Sequence, residues 1–329
     1  INYTSFNSFG SHEILKKKDK DNLVINENLS ILIPTSGSMG SPKFVRYSYE
    51  NIHTNINQVT ESLNVTQSDR AITTMPLNYT YGLSIINSHL FNGASLVLNN
   101  YSLIDKKFWN FFNKENVTNF GGVPFMYEIL SKIGFDNKIP KNLKYITQAG
   151  GRLSNDLIKK FFNISKKNNF EFVVMYGQTE ATSRMSYLHP SFLDKKIGSI
   201  GKPVKNGNFS IQDKNGRIIK NENEVGQLIY EGKNVSMGYA LNKLDLINGD
   251  ENNGKLFTGD LAKRDNDDFY YIVGRIKRIS KIFGMRLNLD DLEILLKKWG
   301  YRCACTGNDN LLDFFIEDKF DSKDMLDKI

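Results

Sequence analysis

The sequence predicts an α/β protein in three parts: layered α/β subdomains, a small β-barrel subdomain, and the opening of a small α+β unit. Strand-like and helix-like segments alternate as far as Glu180, the pattern of an α/β layered domain. From Ile197 onward helical periodicity stops, and short β-prone runs separated by Gly and Asn turns take over. After Arg275 a strand leads into a helix again.

Each element has its own signal. Residues 16–28 are polar and charge-rich and predict a loop. Residues 29–34 form an apolar run of strand length, expected to be buried, and residues 44–49 are β-prone. Ser48 stands at an N-cap for a helix over 49–63. Residues 71–76 predict a strand ending in a loop, 81–91 a helix and 95–98 a short strand. A helix over 105–114, a strand over 117–121 and a helix over 124–133 follow. Residues 145–149 and 170–176 predict strands on either side of a helix over 155–167. The β-rich part holds runs at 209–213, 227–231 and 269–273; a strand over 278–283 then precedes a helix over 289–299.

With 329 residues the chain can build a large core and more than one domain. Its net charge of +7 is spread along the chain with acids interleaved, and no RNA-binding or helix-turn-helix signature accompanies it, so nucleic acid is not an expected partner. No apolar run approaches the ~20 residues of a membrane span. The start, Ile1-Asn2-Tyr3, has neither a secretory leader nor an initiator Met, and the sequence is expected to be part of a longer chain. Cys303 and Cys305 lie one residue apart and can share a strand face. Two thiols without a nearby His argue against a disulfide framework and against zinc, and for a reducing, cytoplasmic setting.

The most informative stretch is Thr35-Ser36-Gly37-Ser38-Met39-Gly40-Ser41-Pro42-Lys43, between two strand-like runs. Glycines let backbone N–H groups approach an anion, hydroxyls add donors, and lysine adds a point charge. That is the chemistry of a polyphosphate loop, although the Walker A spacing is absent. Alone, it is equally a flexible connection. Three segments follow it: Tyr176-Gly177-Gln178-Thr179-Glu180, then Phe257-Thr258-Gly259-Asp260, then Gly274-Arg275-Ile276-Lys277-Arg278 running on to Lys281 and Gly284. Thr-Gly-Asp by itself is most often a turn.

In these four segments, in their order and approximate separation, the chain resembles the superfamily of adenylate-forming enzymes: acyl-CoA synthetases, peptide-synthetase adenylation domains and firefly-type luciferases. The resemblance runs from Ile31 to the low 300s; the first thirty residues carry no motif. It implies a large AMP-binding domain over 1–275, truncated at its N-terminus and with a β-rich subdomain at about 190–273, and a hinge with a partial C-terminal domain over 276–329. It implies attack of a carboxylate on the α-phosphate of ATP, giving an acyl-adenylate and pyrophosphate, then thioester formation. ATP and Mg²⁺ are the implied cofactors, and coenzyme A or a phosphopantetheine the acceptor.

The resemblance also implies roles. Thr35, Ser36, Gly37, Ser38, Gly40 and Lys43 would hold the β- and γ-phosphates. Met39 stands where the family usually has Thr or Ser. Tyr176, with Gly177 and Gln178, would lie against adenine, Thr179 near the α-phosphate, and Glu180 on magnesium, a metal that prefers hard oxygen. Asp260 would accept the ribose hydroxyls beside Arg275. Lys277 would be the hinge, with Lys281 and Gly284 facing the site after rotation. Gln148, Ala149, Gly150 and Gly151 would line adenine and the acyl pocket, with Tyr79 in the aromatic gate position and walls from 120–127, Val123 included, and 182–187. Arg152 would point to solvent or to an acidic substrate, solvent being favoured.

The resemblance implies that an amino-acid-activating relative would carry an aspartate in the stretch 76–82 to anchor the ammonium; this stretch has no acid and looks more like that of acyl-CoA synthetases, so a non-amino carboxylic acid is the expected substrate. The family's C-terminal lysine has no counterpart here. The expected reading is part of a catalytic acyl-CoA ligase. The alternatives are adenylation of an amino or acyl group for a carrier protein, and a nucleotide-binding module that cannot adenylate.

Overall fold

The structure is a computed structural model, and it describes residues 3–9, 12–17, 24–35, 43–282, 285–308 and 311–317. A hairpin of β1 (Tyr3–Phe9) and β2 (His12–Lys17) comes first. Lys16 and Lys17 are therefore strand, not the expected loop. β3 (Leu29–Pro34) and β4 (Phe44–Ser48) pair antiparallel. Helix α1 (Tyr49–Leu63) starts at Ser48 as expected. Ser48 Oγ accepts from the Asn51 amide at 3.0 Å and Asn51 Oδ1 accepts from the Ser48 amide at 2.8 Å, a reciprocal cap that satisfies two otherwise unpaired donors.

The alternating region then runs β5 (Arg70–Ile72), α2 (Thr80–Phe91), β6 (Ser95–Val97), α3 (Lys106–Lys114), β7 (Asn119–Gly122), α4 (Pro124–Lys132), β8 (Tyr145–Gln148), α5 (Asn155–Asn168) and β9 (Glu171–Tyr176). Next come β10 (Ser186–Leu188), β11 (Lys202–Pro203), β12 (Asn208–Gln212), β13 (Gly226–Glu231), β14 (Gly238–Ala240), β15 (Lys255–Arg264) and β16 (Tyr270–Arg275). The chain continues with β17 (Ile279–Ile282), β18 (Met285–Asn288), α6 (Leu289–Lys298), β19 (Cys303–Asn308) and β20 (Leu311–Ile316).

Among the described residues the largest sheet has the order β11-β10-β9-β8-β7-β5-β6. β6, β5, β7, β8 and β9 are parallel; β10 and β11 add an antiparallel edge. Helices pack on it through a core rich in phenylalanine, in which Phe112 meets Phe120, and Tyr127 meets Phe161, edge to face. Such pairs add ~0.5–1.5 kcal/mol to their area burial. Parallel strands of this kind present their carboxyl ends to ligands. Here three neighbouring strands, β7, β8 and β9, end beside Val123, Ala149 and Tyr176 respectively.

The β-rich part is an antiparallel sheet of order β12-β13-β15-β16. β15 is ten residues long and carries Thr258-Gly259-Asp260 in its middle, so this triplet is strand and not a turn. Gly259 takes φ +72° there, which a side chain would strain. A third sheet has the order β14-β4-β3. β3 is its edge, so only Ile33 on β3 is buried, and the expected buried strand is half solvated.

Arg46 on β4 is fully buried and clamps the strands together. It donates to the carbonyls of Tyr239, Met237, Asn248 and Gly249 and to Glu251 Oε2. In the last unit β17 pairs β18, β19 pairs β20, and Leu289, Leu296 and Cys305 form a small core. Both cysteines are free thiols, and burial first, then Cys303, pushes the Cys305 thiol up to about 12.

Candidate functional site

The β3–β4 hairpin is closed at its neck by the Thr35 amide, which donates to the Lys43 carbonyl at 3.1 Å. Ser36, Gly37, Ser38 and Gly40, expected to hold phosphates, lie outside the described residues, as does Gly284. Lys43 is exposed, with Nζ 5.6 Å from the centre of the Tyr239 ring.

β9 delivers Tyr176, and a sharp turn follows. A Cβ on Gly177 would stand 2.0 Å from the Ser183 carbonyl oxygen, so only glycine lets the chain double back here. The turn is shaped by hydrogen bonds from the Ala181 and Ser183 amides to the Gln178 carbonyl. Thr179 and Glu180 lie in a short 3₁₀ turn, Thr179–Ala181. The buried Tyr47 hydroxyl donates to the Thr179 carbonyl at 2.5 Å and lies 3.1 Å from Thr80 Oγ1. Burial, opposed by Thr80 and aided by the Glu180 charge, pushes this phenol up, so it remains a donor.

Glu180 is met by a residue that sequence reasoning missed. The Tyr239 hydroxyl donates to Glu180 Oε1 at 2.6 Å, while the Ser236 amide donates to the Glu180 carbonyl at 2.9 Å. Tyr239 belongs to the three-residue strand β14, whose partner is β4 of the phosphate-loop hairpin. The chain thus sets Lys43, Tyr239 and Glu180 in a row. Burial and the Glu180 carboxylate both push the Tyr239 phenol up. Only the β4–β14 register, which sets Tyr239 opposite Val45, brings it there; Met237-Gly238-Tyr239-Ala240 itself carries no local signal.

Asp260 is 2% exposed and gathers three of the predicted residues. Its Oδ2 accepts from the Tyr176 hydroxyl at 2.6 Å and from Gln178 Nε2 at 2.8 Å. Its Oδ1 accepts from Arg275 Nε at 2.9 Å, across the β15–β16 pair where Asp260 lies opposite Arg275. Burial, then the Asp260 charge and its hydrogen bond, push the Tyr176 phenol well above its ordinary value, so this contact is a donated proton. The Arg275 side chain is 65% exposed and engages Asp260 through Nε.

The expected substrate residues come together as well. Tyr79 and Val123 pack against the buried cluster that holds Ala149 and Tyr81. Gly150 takes φ +78°, and a Cβ there would meet the Tyr79 hydroxyl at 2.6 Å and Val123 at 3.1 Å. Gly151 lies against Pro124, at the start of α4. Arg152 Nη1 stands 3.9 Å from Asp291 Oδ1 on α6, and both side chains are exposed, so Arg152 reaches solvent beside α6. Lys277 is exposed in the turn Ile276–Arg278, and Lys281 is paired with Arg286 in the β17–β18 register.

One carboxylate with an open oxygen suits magnesium, which takes one or two protein carboxylates and fills its remaining positions with water and phosphate oxygen. Glu180 Oε1 is held by Tyr239, and Oε2 accepts no hydrogen bond among the described residues. No cluster of three or more His, Cys, Asp or Glu able to hold a metal occurs among the described residues. Nor is any helix there long and apolar enough to cross a membrane.

Comparison with known proteins gives this geometry a context. The 2-succinylbenzoate–CoA ligase of Bacillus subtilis is 29% identical over 245 residues, 74% of this chain and 48% of that protein. The oxalate–CoA ligase of Saccharomyces cerevisiae is 26% identical over 269 residues, 82% of this chain and 48% of that protein. The chain thus spans about half the length of the curated relatives it matches. The structure of the Bacillus subtilis O-succinylbenzoate coenzyme A synthetase in complex with AMP superposes with a TM-score of 0.77 at 23% identity, covering 92% of this chain and 63% of that one. That of VinN gives 0.65 at 23% identity, covering 80% and 63%. The family profile described as AMP-binding enzyme matches residues 4–240, reaching back into the first thirty residues where no motif is visible. The match takes in well over half of the sequence, and the chain belongs to the AMP-binding enzyme family.

Proposed function

We propose that the protein of which this chain is a part activates a carboxylic acid as its acyl-adenylate at the expense of ATP, and then forms a coenzyme A thioester. The observation that carries this reading is the cluster around Asp260. A buried carboxylate, a phenol, an amide and a half-free guanidinium converge where β9, β15 and β16 meet, one turn from Glu180. This suits a sugar and a nucleobase beside a phosphate-bound cation. The named relatives are CoA ligases, which supports CoA over a carrier protein as acceptor.

In this reading Thr35, Ser36, Gly37, Ser38, Gly40 and Lys43 hold the β- and γ-phosphates and Thr179 stands by the α-phosphate. Tyr176, Gly177, Gln178, Gly150 and Gly151 border the nucleotide, and Asp260 with Arg275 takes the ribose. Tyr79, Val123 and Ala149 border the acyl group. Magnesium held by Glu180 supplies charge neutralisation at the phosphates. Tyr239 fixes one oxygen of Glu180 and leaves the other for the ion. Attack on phosphorus needs no protein nucleophile, so what the chain contributes is positioning and charge. Lys277 is the hinge about which the last unit turns, bringing Lys281 toward the site. A reaction that consumes ATP and coenzyme A suits a cytoplasmic setting.

Mass spectrometry of the full-length protein with ATP, magnesium, coenzyme A and a panel of acids tests the acceptor. An acyl-CoA of the added acid, with AMP released, is expected. Acyl-adenylate that accumulates and is discharged only by a phosphopantetheinylated carrier protein would overturn the CoA assignment.

A further inference from the structure

Two arginines are wholly buried among the described residues, and they differ in one respect. Arg46 spends its donors on four carbonyls and a carboxylate. Arg184 spends none: Nε, Nη1 and Nη2 all lack a hydrogen-bond partner among the described residues. Its guanidinium carbon lies 3.9 Å from the centre of the Tyr81 ring. The phenols of Tyr79, Tyr127 and Tyr145 are among the groups that sense its charge. An aromatic face attracts a cation, but it does not replace the hydrogen bonds that a guanidinium loses on leaving water. A buried charge of this kind calls for an anion.

The chain holds Arg184 in place at the expense of backbone strain. Thr182 and Ser183, neither of them glycine, take φ +52° and +84°. Asn234, also buried, fixes the segment by donating to the Ala181 and Arg184 carbonyls at 2.9 and 3.1 Å, while Thr182 Oγ1 donates to the Asn234 carbonyl. Strain that the surroundings over-determine clusters at functional sites. The Ser183 hydroxyl is likewise buried without a partner. Tyr81, under the guanidinium, belongs to the cluster that includes Tyr79, Val123 and Ala149. Thr80, its neighbour, is tied through Tyr47 to Thr179.

We propose that Arg184 receives a second anionic group of the acid, so that the substrate carries a negative charge, of the carboxylate class, beyond the carboxylate that is activated. This rests on the reading of the chain as acid-activating. It gives the acyl pocket a charge specificity that its tyrosines alone do not supply.

Matched pairs test it on the full-length protein: aliphatic and aromatic dicarboxylic acids, each against its monomethyl ester. Acid-dependent ATP–pyrophosphate exchange and thermal denaturation are read in parallel. The wild type is expected to favour at least one diacid over its monoester by ~100-fold in kcat/KM, as a site built around buried polar groups rejects a ligand lacking their partner. Arg184→Met is expected to erase that preference through KM, cutting kcat/KM for the diacid far more than for its monoester, with Arg184→Lys in between. Monoesters equal to diacids in the wild type, or equal losses for both in Arg184→Met, would overturn the proposal. If no acid supports exchange, the adenylation reading fails by itself. The anion site is then decided by melting temperature, which a diacid raises in the wild type and a monoester does not. A protein that no diacid stabilises has no such site. Should Arg184→Met not fold, the diacid-to-monoester ratio of the wild type decides alone.

Discussion

Tyr239 and Asp260 make opposite demands on their neighbours. Tyr239 donates a hydrogen bond to Glu180 and can be removed with little structural harm, since it is 40% exposed. Tyr239→Phe is expected to lower thermal stability by only ~1 kcal/mol, the net value of one hydrogen bond, and to raise the magnesium concentration needed for half-maximal activity. An unchanged magnesium titration would remove Tyr239 from the site. Asp260 is the acceptor on which Tyr176, Gln178 and Arg275 converge. Asp260→Asn turns one acceptor into a donor facing donors. Loss of charge-assisted bonds worth ~1.5–3 kcal/mol each should weaken AMP binding by ~10–100-fold in calorimetry; equal affinity would contradict a ribose role. Tyr176, Gln178, Asp260 and Arg275 are legible in the sequence because each sits in a short motif, Tyr176 and Gln178 in the same one. Tyr47, Tyr239 and Arg184 are not, because what gives each its setting is a partner far along the chain: Thr179, Glu180 and Tyr81 respectively.

Helices are the most legible elements, and α1 shows why: its Ser48 cap is local and it ends at Leu63 as expected, although its buried face includes Asn51, Asn55 and Gln58. Ser48→Ala is expected to cost about 1 kcal/mol in chemical denaturation, the usual value of an N-cap. β15 was not legible, because Thr-Gly-Asp looks like a turn and because Gly259 takes a left-handed conformation inside the strand. Its pairing with β13 and β16 overrides that local preference. Helix α2 carries a pH dependence. His89 is 1% exposed, with Nδ1 2.8 Å from the Ile85 carbonyl and Nε2 3.2 Å from Asn119 Nδ2. This pattern fits the neutral ring, with Nδ1–H donating and Nε2 accepting. Burial, opposed by the Ile85 carbonyl, holds its pKa below the ordinary 6.5. A base whose folded pKa is depressed favours folding fully above the unfolded value, and loses that contribution as pH falls from 6.5 toward the folded value. Melting temperature should therefore drop below pH ~6.5, and drop less steeply in His89→Gln. Parallel slopes for the two proteins would exclude His89 as a source.

The last unit coheres more strongly than it adheres. Arg278 ties its own elements together through Asp290, Glu293 and the Cys305 carbonyl. Its side-chain ties to the preceding domain include Lys297 to Glu128 at 2.6 Å, Arg152 to Asp291 at 3.9 Å, and Asn288 to the Val273 carbonyl at 2.9 Å. Exposed ion pairs contribute ~0–1 kcal/mol and are screened by salt. Such a seam suits rotation about Lys277. Raising salt well above physiological strength should speed tryptic cleavage after Lys277 several-fold relative to other sites; an unaltered ratio would speak against a loosely held unit. The boundary expected at Arg275 rests on a change of sequence pattern, whereas the polar contacts across it depend on tertiary placement. The central claim concerns the whole protein, and ATP–pyrophosphate exchange across a panel of carboxylic acids tests it most directly. Magnesium-dependent exchange with at least one acid is expected in the full-length protein, falling by roughly 100-fold or more in Glu180→Gln. A protein that binds ATP yet exchanges with no acid, or exchanges undiminished in Glu180→Gln, would contradict it.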